Sequence, residues 1–260
     1  MRIATWNVNS IKAHFDQVTS WVKAEKPDVL CLQELKCEDQ NFPTAAFEEL
    51  GYSCAIYGQK TYNGVAILAH GKMENIERGL AGDDSDEQAR FISALVHGEA
   101  APVTVVALYL PNGNPAPGPK YDYKLGWMKR LKAKAQAMLI NEESFVLAGD
   151  YNVIPALADM KRPEAWLNDA LWLPPSRAAF QELTSLGLTE AYRALHPGES
   201  GAYSYWDYQA GAWPKNNGIR IDHLLLSPQA ADRLISARIH RDVRGDEKPS
   251  DHVPVEIELT

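Results

Sequence analysis

Six oxygen-bearing side chains stand where an apolar run begins or ends: Asn7, Glu34, Asp150, Asn152, Asp222 and Asp251. Asn7 follows Ile3–Trp6, Glu34 follows Asp28–Leu32 by one residue, and Asp150 and Asn152 follow Phe145–Ala148. Asp222 lies at the start of the run to Leu226, and Asp251 comes just before Val253–Leu259. A hard divalent cation takes such ligands, usually one or two carboxylates with waters and substrate phosphate. A lone Asp in such a place is more often a cap or turn former. The set says more. Strand ends at one edge of a sheet converge, and several carboxylates there repel unless a cation or shared proton balances them.

His252 follows Asp251 directly. An imidazole can exchange protons or bind phosphate near neutrality. Of the seven histidines, His14, His70, His97, His196 and His240 lack a carboxylate motif and read as surface or satisfied core residues. His223 follows Asp222, but strand alternation turns it to the opposite face. Gly149–Asn152 places Asp150 and Asn152 two apart, on one side of an extended segment. One can hold a water or take its proton while the other donates to charge developing on phosphorus. The alternative is a turn closing a strand.

The elements that must position these groups are short, β-branched apolar runs bounded by turn residues, which predict strands. They cover about 3–6, 28–32, 65–68, 103–108, 145–148, 221–226 and 253–259. Helical spacing predicts helices at roughly 11–26, with Ile11, Phe15, Val18 and Val22 on one face, and 121–140, with Leu125, Met128, Leu131, Ala135 and Leu139. Shorter ones fall at 176–187 and 228–234. Mixed elements of this kind make an α/β layered domain. Pro111–Pro119 is a loop joining a strand to a helix, and 155–175, with Trp166 and Trp172, is a long irregular surface stretch. With no linker and no repeat, residues 1–260 read as one domain, with two sheets facing each other.

Composition narrows the classes. At 260 residues, 45% hydrophobic and 23% charged, the chain is ordinary for a globular protein and unlike a disordered, collagenous or coiled-coil one. No apolar run approaches the roughly 20 residues of a membrane span. Met1–Asn7 enters a strand-like segment at once, without a secretory signal, and Cys31, Cys37 and Cys54 read as reduced thiols of a cytoplasmic protein. The formal charge of −8 disfavours a polyanionic partner on its face. A metal-dependent phosphodiesterase, however, itself needs a carboxylate cluster.

Seven segments in order resemble the exonuclease III family of DNA-repair nucleases, in the endonuclease/exonuclease/phosphatase superfamily. They are Thr5–Ser10, Leu32–Lys36, Tyr62–Ala66, Leu108–Gly113, Gly149–Asn152, Gly218–Asp222 and Lys248–His252. The match runs from residue 3 to about 257. The resemblance implies a four-layered α/β sandwich, two mixed β-sheets packed face to face with flanking helices. It also implies Mg²⁺- or Mn²⁺-dependent cleavage of double-stranded DNA 5′ to an abasic site, with 3′-5′ exonuclease and 3′-phosphodiesterase activity on blocked 3′ ends, by a monomer.

Family roles then fall on matching positions. Glu34 resembles the principal metal ligand, with Asn7 beside it, and Asp251 matches an acidic residue that contributes to metal binding. Asp150 matches the residue that activates water, and Asn152 the one that positions water and stabilises the transition state; both, with His252, lie in the metal environment. Tyr109 is similar to the tyrosine near the scissile phosphate, and His252 to the phosphate-contacting histidine oriented by Asp222. Tyr205, Trp206, Ile219 and Ile221 match the apolar walls of the pocket for a base-less sugar, whereas Tyr203 and Tyr208 read as core aromatics. Tyr62, Arg90, Asn112 and Lys36 fall where the family grips phosphates. Asn9 stands where some relatives carry Asp, and 155–175 differs from the better-known members.

On the helix at 121–140 and just before it, Lys120, Lys124, Lys129, Arg130, Lys132 and Lys134 read first as a solvated face and second as a DNA contact. Asp83, Asp84, Asp86 and Glu87 are expected to face away from DNA. Two other readings compete: a superfamily phosphodiesterase or phosphatase acting on a lipid or inositol phosphate, and an inactive DNA-binding relative. The aromatic segment leading to Arg220 argues against the first. The complete set Glu34, Asp150, Asn152, Asp222 and His252 argues against the second.

Overall fold

The structure is a computed structural model that describes residues 1–98 and 101–260. In chain order its strands are β1 (Arg2–Asn7), β2 (Val29–Gln33), β3 (Ser53–Tyr57), β4 (Val65–Ala69), β5 (Met73–Arg78) and β6 (Phe91–Val96). Then come β7 (Val103–Tyr109), β8 (Phe145–Asp150), β9 (Thr189–Glu190), β10 (Asp222–Leu226), β11 (Leu234–Ile239) and β12 (Val255–Leu259). The helices are α1 (Phe15–Glu25), α2 (Thr44–Glu48), α3 (Pro119–Ile140), α4 (Pro174–Thr184), α5 (Ala191–Leu195) and α6 (Pro228–Ala231).

The strands form two six-stranded mixed sheets, ordered β11-β12-β1-β2-β4-β3 and β5-β6-β7-β8-β10-β9. The sheets face each other across a core that includes Ile3, Cys31, Ile67, Val105, Val146, Leu224 and Ile257. On the outer face of the first sheet, Trp6 and Leu30 pack under Val18, Trp21 and Val22 of α1. On the outer face of the second, Leu147 and Val106 pack under Trp127 and Leu131 of α3 and Phe180 of α4. Strands buried on both faces need apolar residues at every position. That is why β2, β4, β8 and β10, buried throughout, are apolar except at the ends where Gln33, Asp150, Asp222 and His223 stand.

Each sheet holds one parallel pair, β1 with β2 and β7 with β8. Parallel neighbours require a crossover, and α1 and α3 supply the two. The crossovers bring the carboxyl ends of β1, β2, β7 and β8 to one edge of the sandwich, the usual place for a ligand site in parallel sheets.

The four layers and all seven expected strands are present. Five strands escape the apolar pattern: β3, β5, β6, β9 and β11. Edge strands β5 (MENIER) and β11 (LISARI) are largely exposed and carry charge, as edges that must resist pairing do. Helix α1 starts at Phe15, four residues later than expected, with Ile11 buried in the turn before it. In α3 the buried face is rotated: Tyr121, Lys124 and Trp127 join Met128, Leu131 and Ala135, and Leu125 is only half-buried.

Candidate active site

Strand register assembles the site. Asn7 pairs with Gln33, so Glu34 follows immediately at the end of β2. Asp150 lies in register between Tyr109 on β7 and Asp222 on β10. At this edge Asn7 bridges the two sheets: its Nδ2 donates to Glu34 Oε1 at 2.9 Å and to Asp150 Oδ2 at 2.9 Å. Its own oxygen accepts the Asn9 amide at 3.0 Å, which fixes which way the amide points.

The chain beyond these strand ends is strained. Glu34, Lys36, Asn9 and Asn152 take left-handed φ values of 54°, 53°, 43° and 47°. Such conformations cost of order 1–3 kcal/mol each and persist only where surrounding bonds over-determine them. Here Ser10 N–H donates to Glu34 O, Leu35 N–H to Gly64 O, and Lys36 N–H to Asn63 O. The extended geometry expected for Asp150–Asn152 is therefore corrected. β8 ends at Asp150, and the left-handed turn lets Asn152 N–H donate to Asp150 Oδ1 at 2.8 Å.

Burial alone would raise the Glu34 pKa, but Lys36, 2.9 Å from Oε2, and the Asn7 amide outweigh it and lower it. Asp150 is fully enclosed, and burial, reinforced by Asp222, raises its pKa against the pull of His252. His252 is the counterpart. Burial works to lower its pKa, but Asp222 and Asp150 outweigh it, so the imidazolium is favoured. Its Nδ1 lies 2.9 Å from Asp222 Oδ2 and its Nε2 faces Asp150 Oδ2 at 3.7 Å. Asp222 is held in turn by Ser204 Oγ at 2.6 Å, and the Tyr205 ring packs edge-on against the imidazole. Tyr109, half-buried beside Glu34 and Asp150, has its pKa raised well above the ordinary value by desolvation and by those carboxylates, so it is a phenol and a donor. Arg90 lies 4.8 Å over its ring.

The donor set fits a hard cation. Glu34 and Asp150 share the Asn7 amide, and Asp222 Oδ1 is buried without a hydrogen-bond partner among the described residues. Asp150, Asp222 and His252 bring one ligand-capable atom each within 4.8 Å of one another. Asp251 accepts from Asn9 Nδ2 at 3.2 Å nearby.

These groups face a cavity of about 300 Å³. Of the residues singled out in the sequence, Glu34, Tyr109, Asn112, Asp150, Asn152, Tyr205, Ile221, Asp251 and His252 line it. Asn112 Nδ2 donates to Asn152 Oδ1 at 3.2 Å. Two expected walls are corrected. Trp206 is fully buried with Tyr203, Ala212 and Val253, away from the cavity, and its Nε1 donates to Asn216. Ile219 is buried among Ile154, Met160 and Leu171, behind Ile221. Tyr62 is 68% exposed and lies outside the cavity, and Tyr208, expected in the core, is 52% exposed.

Sequence reasoning missed five lining residues, Asn114, Trp166, Asp169, Leu171 and Asp207. The 155–175 stretch is a wall of the site, not only a surface loop. Asp169 Oδ1 accepts from Asn114 Nδ2 at 3.1 Å, and Asp159 is paired with buried Arg220 at 2.8 Å, so the stretch is tied down at two points. Lys124 was also missed. Its Nζ donates to the carbonyl oxygens of Asn152 and Asn112 at 2.5 and 3.0 Å, and burial pulls its pKa down to about 7. A signal existed: a lysine three and four residues before Trp127 and Met128 is on the apolar face. Farther along the basic helix, Arg130 is paired with Asp86, Lys132 with Glu182 and Lys134 with Glu77, whereas Lys120 and Lys129 are exposed.

The profile of the endonuclease/exonuclease/phosphatase family matches residues 4–252. The chain is 33% identical to exodeoxyribonuclease III of Haemophilus influenzae over 269 residues, covering 100% of both. It superimposes on an AP endonuclease from Archaeoglobus fulgidus with a TM-score of 0.93 and 35% identity, covering 100% of this chain and 99% of the other. A 3′ phosphatase, NExo, from Neisseria, solved bound to a product DNA hairpin, gives 0.94 and 38% over 100% and 99%.

Proposed function

Because the chain belongs to the endonuclease/exonuclease/phosphatase family, among its exonuclease III relatives, we propose that it is a metal-dependent DNA-repair nuclease. It cleaves the phosphodiester 5′ to abasic sites and removes nucleotides or blocking groups at 3′ ends, acting as a single unit over residues 1–260. The observation that carries this reading is the junction of the two sheets, where Asn7 joins Glu34 to Asp150 beside the Asp222–His252 pair. AP endonuclease, exonuclease and 3′-phosphatase relatives that cover the whole chain support it.

In-line attack on phosphorus requires a placed nucleophile, donors for the non-bridging oxygens and a group to meet the leaving 3′-oxygen. Asp150, whose carboxyl burial raises toward the range of a neutral-pH base, takes the proton of the attacking water. Asn152 Nδ2 in the resting site donates to Leu110 O at 2.8 Å, so the amide is already aimed when water and phosphate arrive. Protonated His252 and the Tyr109 phenol donate to phosphate oxygens, with Asp222 fixing the imidazole. Glu34 and Asp150 would hold Mg²⁺, or Mn²⁺, oriented by the Asn7 Nδ2 that donates to both, with Asp251 at the edge of the same cluster. A divalent cation held there would supply charge neutralisation for the phosphate and leaving oxygens. Tyr205, Ile221 and Leu171 give the extruded base-less sugar apolar walls.

The test is incision of a duplex oligonucleotide with one central abasic-site analogue, in Mg²⁺ and in EDTA, beside an undamaged duplex. Metal-dependent cutting 5′ to the lesion is expected. No cutting in Mg²⁺ or Mn²⁺ by folded protein overturns the reading, and turnover of inositol phosphates would then place the chain among the lipid-type phosphodiesterases.

A further inference from the structure

Lys124 is an ionisable side chain at 0% exposure, with no ion-pair partner among the described residues. Such burial is costly and calls for a compensating role. Its ammonium is spent on two backbone carbonyls, those of Asn152 and Asn112, at 2.5 and 3.0 Å. These residues sit on separate loops, one after β8 and one after β7, and are joined again by the 3.2 Å hydrogen bond between their side chains. The stem of the lysine has a reserved channel. A Cβ on Gly113, at φ +91°, would come within 2.7 Å of Lys124 Cδ and 3.2 Å of the Ala170 and Tyr121 side chains. The adjoining Asn152 backbone is left-handed, a conformation held by the bonds around it.

Resting on the phosphodiester-cleavage reading of the same site, we propose that Lys124 is a positioning residue that locks the two loops together and thereby aims the Asn152 amide at the reacting phosphate. One ammonium clamps both carbonyls from beneath, while Asn112 and Leu110 O hold the two ends of the amide from the sides. Without the clamp the Asn152 turn can relax, and displacement by about 1 Å at such a group costs on the order of a hundredfold in rate. The lysine contacts neither cavity nor substrate, so binding of DNA should be little affected.

The test uses the full chain in Mg²⁺ with the abasic duplex. Lys124→Met keeps the apolar stem and removes the donor; Lys124→Arg restores a cation; Asn152→Ala removes the amide. We expect Lys124→Met to lower kcat about tenfold to a hundredfold with KM changed less than about twofold, and Lys124→Arg to recover part of the loss. In the Asn152→Ala background, Lys124→Met should change kcat by less than about threefold, because the group it aims is gone. A loss that multiplies fully with that of Asn152→Ala, or unchanged kcat in Lys124→Met, overturns the proposal. If Lys124→Met does not fold, Lys124→Gln, which keeps a shorter, uncharged polar side chain, is read in its place by the same criteria. Wild-type protein that fails to cut the duplex refutes the nuclease reading instead, so the two failures are distinct.

Discussion

Asp222 and His223 are consecutive on β10, yet they enter two buried polar clusters of opposite character. On one face, the ion pairs of Glu34, Asp150, Asp222 and Asp251 among the described residues are with Lys36 and His252, and Asp222 Oδ1 has no partner among them. On the other, Arg220 binds Asp159 at 2.8 Å and Glu190 at 2.9 Å, Arg193 binds Asp159 at 2.6 Å, and His223 joins Arg220 to the Val153 carbonyl. Charge on the second face is balanced within the protein, so its bonds serve the folded state. The first carries an excess of carboxylate that only an external cation or a shared proton can balance. Buried charge marks function where the protein leaves it uncompensated.

The largest expected effect falls on the first face. Asp150→Asn should lower the incision rate by about 10²–10⁴ while leaving the melting temperature equal or higher, because it relieves carboxylate repulsion. Arg220→Met should do the reverse. It removes the cation shared by Asp159 and Glu190, leaving Asp159 only Arg193 as a charged partner, and should cost roughly 3–5 kcal/mol in urea unfolding, with kcat per folded molecule changed only a few-fold. If Arg220→Met abolished turnover at full stability, the two clusters would not be separable.

A third effect sharpens the contrast through pH. Burial works to raise the Glu190 pKa, but Arg220 and His223 outweigh it and hold it at about 2, against an ordinary 4.5. A depressed carboxyl stabilises the fold fully above its unfolded pKa, and that contribution is lost as pH falls through the folded one. Between pH 5 and pH 2 the wild type should lose about 3 kcal/mol that Glu190→Gln does not lose, measured as urea midpoints across that window. Parallel curves would show that the pair contributes nothing.

The first face was far more legible in the sequence than the second. Its residues sit at the ends of continuous apolar runs, because the central strands are buried on both sides and their ends must converge. Asn7, Glu34, Asp150 and Asp222 were therefore readable from position alone. The left-handed turn at Asn152 was not, since two-residue spacing suits a strand and a turn equally. The walls were harder still: Trp206 and Ile219 carry the right chemistry but face inward, and no apolar period locates a side chain on an irregular segment. Lys124 hid for the opposite reason, as a charge on a helix that looks basic until its apolar face is drawn. Charged edges β5 and β11 gave no apolar signal because exposure was their requirement.

Cation binding should distinguish the clusters more gently. Mg²⁺ at about a hundred times its Kd should stabilise the wild type by about 2.7 kcal/mol in thermal melts, and EDTA should reverse it. Glu34→Gln should lose most of that gain, whereas Glu190→Gln should keep it. Equal stabilisation of both variants would mean that the ion binds elsewhere.

The smallest effect is expected on α3, where basic residues suggested a possible DNA surface. Lys132 and Lys134 pair with Glu182 and Glu77 at 2.9 and 2.7 Å, on the outer layer and away from the cavity lining. Exposed pairs of this kind contribute roughly 0–1 kcal/mol each. Their charge is already matched, so they have little to offer a phosphate. Lys132→Ala with Lys134→Ala should leave stability within about 1 kcal/mol of wild type and the slope of log affinity against log salt unchanged. A slope shallower by about one for each lysine removed would show that DNA lies across α3. The grip on the backbone would then extend well beyond the edge where the two sheets meet, and a cluster balanced in the free protein would exchange its partners on binding.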